Sequence, residues 1–164
     1  MKKLYIKQKF WTLLDKFTVK NEAGNDIYYA NQNFRFFGDS FTVYRANGQV
    51  AFEIEKRVFT WLPKFDIAFA NGRVLTIYQE LSFLKRRLQI DPQGLNYRVI
   101  GDFWDYDFTL YQGNRNVGYV QKRFFSWVDT YELVIYQDAD AELFLAVVLA
   151  IDAIKDAENT TNTY

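Results

Sequence analysis

The side chains able to do chemistry are few. The 164 residues include no histidine and no cysteine, so a Ser-His-Asp triad, a Cys-His pair, a thiolate nucleophile, a disulfide and a zinc site of nitrogen and sulfur ligands are all excluded. Gly113 and Gly118 have the spacing of the glycines in a phosphate loop. Tyr119-Val120 follows where Lys and Ser or Thr would be required, so no nucleotide site is expected. Carboxylates are the remaining route to acid/base or hard-cation chemistry, and Asp102, Asp105 and Asp107 are close enough in sequence to act together. The competing account is alternation: on a strand, Asp105 and Asp107 would share a polar face opposite Trp104, Tyr106 and Phe108. Asp152, the last charge of an apolar run, is expected to reach solvent or a structural hydrogen bond. No catalytic residue, metal or cofactor is assigned, and the reading is of a protein that is not an enzyme.

The basic residues offer a binding surface instead. Lys85-Arg86-Arg87 follows Phe83 and Leu84, and the pairs Lys56-Arg57 and Lys122-Arg123 add to it. Basic and apolar side chains side by side can hold phosphate while entering an interface. Neighbouring strand residues point to opposite faces, so both charges of a pair are solvated only at a strand end, a bulge or a barrel rim. Protection of strand ends is the alternative role for such charges. Twenty basic residues balance 20 acidic ones, so no general attraction for nucleic acid is expected.

The elements that must position these groups read as strands. Aromatics make up 20% of the chain, which suits half-buried pleated surfaces. Turn chemistry recurs at Gly24-Asn25, Asn47-Gly48, Asn71-Gly72, Gln93-Gly94 and Gly113-Asn114, roughly every 20 residues, enough for two strands per interval. A meander of hairpins follows. With two prolines and no linker composition, one domain is expected over residues 1–156, with a flexible tail at 157–164. Lys7, Gln8 and Lys9 interrupt what would have to be a signal-peptide core, so a cytoplasmic location is expected.

The chain also resembles itself. Residues Lys56-Arg57-Val58-Phe59-Thr60-Trp61 through Ile67 align without gaps on Lys122-Arg123-Phe124-Phe125-Ser126-Trp127 through Leu133. Upstream, Phe41-Thr42-Val43-Tyr44 recurs as Phe108-Thr109-Leu110-Tyr111. Two halves with one in-and-out pattern can pair into a closed sheet. The run Leu143-Phe144-Leu145-Ala146-Val147-Val148-Leu149-Ala150-Ile151, extended to Ile154, reads as a helix from its Ala and Leu content and its length. It has no polar stripe and is short of the roughly 20 residues that span a bilayer, so it belongs inside the sheet.

Taken in order, Phe17-Thr18-Val19 with Gly24, Gly101-Asp102-Phe103, Asp107-Phe108, Asp129-Thr130-Tyr131 and Leu149-Ala150-Ile151-Asp152 resemble the LURP-one-related family of the tubby C-terminal-like superfamily, over about Leu4 to Lys155. The resemblance implies an antiparallel barrel of about twelve strands around a central hydrophobic C-terminal helix. Tubby domains bind phosphoinositide head groups and the related scramblases act at membranes. The tubby lipid pocket has no residue-by-residue counterpart here, so no binding residue is carried over. The expected function is a binding or scaffold protein, its partner an anionic phospholipid surface, with Lys85, Arg86, Arg87, Lys56, Arg57, Lys122 and Arg123 as the anion-binding candidates and a location peripheral to the membrane. The alternative is a protein-interaction module using Trp11, Phe36 or Phe37, and third an apolar-ligand carrier, which a helix filling the barrel disfavours.

Overall fold

The computed structural model describes residues 1–7, 16–31, 40–80, 87–91, 96–125 and 128–161. Strand order follows chain order. β1 (Lys2–Lys7), β2 (Lys16–Lys20), β3 (Asp26–Asn31), β4 (Ser40–Arg45), β5 (Val50–Lys56), β6 (Lys64–Phe69), β7 (Val74–Glu80) and β8 (Arg87–Asp91) form an antiparallel meander. β9 (Tyr97–Asp102), β10 (Asp107–Gln112), β11 (Arg115–Phe125) and β12 (Val128–Ile135) form a second one. The two join where β1 pairs with β12, with Leu4 opposite Leu133 and Ile6 opposite Tyr131. The result is a single twelve-stranded sheet running from β8 to β9.

The expected closed barrel is nearly closed. β8 and β9 are the two ends of the sheet, and no strand pairing joins them among the described residues. Side chains alternate as the pleat demands. Phe41 and Val43 on β4, Leu75 and Ile77 on β7, and Phe108 and Leu110 on β10 face inward, while their neighbours do not. Cross-strand pairs such as Val43 with Phe52, Ile54 with Ile67 and Ile67 with Leu75 fix the register, because a one-residue slip would turn these side chains to solvent.

A 3-10 turn at Asp138–Asp140 leads into the helix α1, Ala141–Thr161. From Leu143 through Ile151 every residue of it is buried, as an apolar run without a polar stripe requires. Arg45 donates to both Glu142 carboxylate oxygens, at 2.6 and 2.9 Å, and Arg115 pairs with Asp140, so the helix entrance is held by two ion pairs. The helix is longer than the sequence reading drew it. Residues 157–161, assigned to a tail, continue it: Ala157 still packs on the core, and each further residue adds a hydrogen bond to a helix already nucleated. No helix among the described residues is long and apolar enough to cross a membrane.

Candidate functional site

The two rims of the barrel are built differently. At one, short turns with left-handed glycines, Gly24, Gly48, Gly72 and Gly113, connect the strands, and the helix enters. At the other, the chain passes between β1 and β2, β3 and β4, β5 and β6, β7 and β8, β9 and β10, and β11 and β12, mostly by longer connections. Long connections on a rigid frame are where binding residues concentrate. This second rim also receives the far end of α1.

The basic candidates fall at that same rim. Lys56 is the last residue of β5 and Arg57 follows it, Arg87 opens β8, and Lys122 and Arg123 lie near the end of β11. Lys85 and Arg86 lie outside the described residues, as do Trp11, Phe36 and Phe37. Arg87 is exposed. The two arginines of the aligned pairs are already engaged. Arg57 donates to Asp66 at 2.6 Å and to Thr76 at 3.2 Å, and Asp66 is held below its ordinary value although burial alone would raise it, because Arg57 and Thr76 donate to it. Arg123 donates to Glu132 at 2.7 Å. Glu132 is 2% exposed. Burial pushes its carboxyl up, but donation from Gln121, Arg123 and Tyr5 outweighs this and holds it low.

These bridges are equivalent in position. Each spans nine residues, Arg57 to Asp66 and Arg123 to Glu132. The hairpins share one register, Lys56 opposite Phe65 and Lys122 opposite Tyr131, at the positions the sequence alignment pairs.

The carboxylates do not assemble into a reactive group. Asp102 ends β9 opposite Asp107, which opens β10, while Asp105 lies in the turn between them rather than on a strand. The expected shared strand face therefore does not form. The Asp102 carboxylate accepts the backbone N–H groups of Trp104 and Asp105 at 3.0 and 3.1 Å, an Asx turn that explains an acid there. Among the described residues no group of acids could hold a metal ion.

The turn instead presents Trp104 and Tyr106 to the end of α1. Tyr106, buried and in the left-handed region at φ 56°, packs its ring tilted against Tyr131 with centroids 4.2 Å apart and donates its hydroxyl hydrogen to Asp152. Burial raises the Asp152 carboxyl to about 7, against a partly offsetting Lys155. Lys155 donates to the Trp104 carbonyl at 2.5 Å with its ammonium 3.9 Å from the Tyr106 ring centre. Burial lowers its value. The sequence pointed to Asp152 at the barrel mouth. It did not point to Tyr106 or Lys155, whose only signal was the i, i+3 spacing of Asp152 and Lys155 on one helix face.

A further feature of this rim was not singled out from the sequence. The β5–β6 connection leaves Val58, Phe59 and Trp61 exposed, the last two at 104% and 95%.

Known proteins place the chain. The LURP-one-related family model matches residues 2–152. A relative described as the uncharacterized protein YxjI of Bacillus subtilis (strain 168) is 27% identical over 154 residues, covering 94% of both chains. A solved Arabidopsis thaliana protein superposes with a TM-score of 0.66 at 12% identity, covering 94% of this chain and 91% of its own, which establishes the shared fold. A family match across nearly the whole length, on a twelve-stranded barrel threaded by its C-terminal helix, means that the chain belongs to the LURP-one-related family.

Proposed function

We propose that this protein is a non-enzymatic binding protein that docks on an anionic phospholipid surface through the rim where α1 ends. The observation that carries the reading is convergence: Lys56, Arg87 and Lys122, distant in sequence, sit at the same end of three strands. Cations on one rim act together on a charged plane in a way that scattered cations do not, each contributing about 1 kcal/mol near an anionic bilayer. The absence of histidine and cysteine and the structural employment of Asp102 argue on the same side, because they remove the commonest nucleophile and acid/base arrangements.

Co-sedimentation with phosphatidylcholine vesicles, with and without phosphatidylserine, at low and high salt tests this. Binding to the anionic vesicles that weakens with salt, and weakens further in the K56E/R87E/K122E variant at unchanged thermal stability, is the expected result. Failure of the wild-type protein to bind either vesicle would overturn the reading and make a protein partner the better account of the rim.

A further inference from the structure

The residues between β5 and β6 are unusual for what they leave in water. The core accommodates Phe52, Phe65 and Ile67 from the same hairpin at 3% exposure or less, yet Val58, Phe59 and Trp61 remain 66%, 104% and 95% exposed. Single exposed apolar residues are ordinary, but two fully exposed aromatics two positions apart form a patch.

The connection is also held in shape. The Arg57 N–H donates to the Lys64 carbonyl at 2.8 Å, closing the base of the loop. The Arg57 side chain is anchored to Asp66 and Thr76 on β6 and β7. Thr60 donates to the Arg57 carbonyl at 3.4 Å, and Pro63 restricts the return strand. Phe59 itself adopts φ 60°, a conformation that costs a bulky residue roughly 1–2 kcal/mol and that here accompanies a ring held wholly in solvent. A shaped projection loses less conformational freedom on binding than a loose one.

Charge identifies the occupant. Residues 56–64 contain Lys56, Arg57 and Lys64 and no acid. Lys56 and Lys64 bracket the aromatics in the sequence, and Lys64 lies with its ammonium 4.5 Å from the centre of the Tyr78 ring. Aromatic side chains between cations match the layered chemistry of a bilayer interface, with acyl chains beneath phosphates. A protein partner fits less well: two aromatics and a valine supply on the order of 500 Å² together, short of the roughly 800 Å² per partner of a standard interface.

We propose that residues 57–63 form a membrane-inserting finger: Phe59 and Trp61 enter the boundary between head groups and acyl chains, while Lys56 and Lys64 meet the phosphates. Insertion needs gaps between head groups, so the finger favours loosely packed, strongly curved bilayers over flat ones of the same composition. This rests on the reading that the rim faces a bilayer.

The test uses the full chain with phosphatidylcholine–phosphatidylserine vesicles, small sonicated and large extruded, some carrying acyl chains brominated near the head group. Binding is expected to be stronger to the small vesicles, and bromine is expected to quench wild-type tryptophan emission but to quench Trp61→Phe far less. Phe59→Ala should lower partitioning about tenfold, the size expected for partial burial of one aromatic ring. Both side chains are exposed, so unchanged thermal unfolding of the variants verifies the fold. If wild type binds but F59A/W61A binds equally, with no loss of quenching in W61F, the finger is refuted while the rim reading stands; if wild type binds no vesicle, the rim reading falls with it.

Discussion

Replacing Asp152 with Asn should make this protein more stable at pH 8 and leave it nearly unchanged at acid pH. The carboxyl sits at the barrel mouth on the last fully packed turn of α1, accepts the Tyr106 hydroxyl hydrogen, and is raised by burial from 3.8 to about 7. The groups that face it are Tyr106 from the β9–β10 turn and Lys155 and Asp156 from α1 itself; Lys155 in turn feels Asp102, Asp105 and Lys122. A folded-state value above the unfolded one means that the native protein holds a proton the unfolded chain has released. Stability is therefore full below about 4 and is lost as pH rises through the folded value near 7, after which the loss is constant.

The ceiling on that loss is the shift of about three pH units at 1.36 kcal/mol each, about 4 kcal/mol. Asp152 keeps some contact with solvent and relaxation around it will reduce the cost, so about 1–2 kcal/mol is expected in practice. Asparagine keeps an oxygen to accept from Tyr106 and cannot ionise. The assay is urea unfolding of wild type and D152N side by side at a series of pH values from 4 to 8. Other titrating groups contribute to both proteins and cancel in the difference. A gap in favour of D152N that opens between about pH 4 and 7 and then levels is the expected curve. A gap independent of pH, or a wild type more stable than D152N at pH 8, would show that the site tolerates the charge and would refute the burial argument.

Two further outcomes test the packing. Glu132→Ala should cost about 1–3 kcal/mol in urea unfolding, because it removes a buried acceptor shared by Arg123, Gln121 and Tyr5, whereas Arg57→Ala, which breaks a solvent-facing bridge, should cost about 1 kcal/mol or less. Phe144→Ala should cost about 3–5 kcal/mol by the same assay, since this fully buried ring of α1 packs edge-on against Phe108 inside the barrel.

What the sequence made legible was set by short-range physics. Glycines needing a left-handed backbone announced four of the turns on the entrance rim, and the aromatic content of the runs between regularly spaced turns announced the strands. The helix was legible from Leu143 to Ile154 because it is apolar on all sides, but its last turns were not: Glu158-Asn159-Thr160-Thr161 has no apolar face, and its helicity is inherited from the turns before it. The Asp102 to Asp107 segment misled because aromatic-acid alternation imitates a strand. The Asx turn that Asp102 makes is a local hydrogen-bonding choice that periodicity does not see. Likewise the basic pairs were visible, but their engagement was not. Whether Arg57 finds Asp66 depends on a hairpin register that brings residues nine apart together.

That register also explains how one rim can carry both a stable frame and an exposed finger. On β5–β6 the arginine is the first residue of the connection and on β11–β12 it lies two residues before the strand ends, and in both hairpins it ties the two strands together through its acid. The strands are thereby held independently of what the connection contains. Phe59 and Trp61 bury almost none of their surface, and Phe52, Phe65 and Ile67 fill the core on the same hairpin. Residues that neither pack nor brace the fold are not accounted for by its stability, and the proposed finger assigns these two aromatics to a bilayer instead.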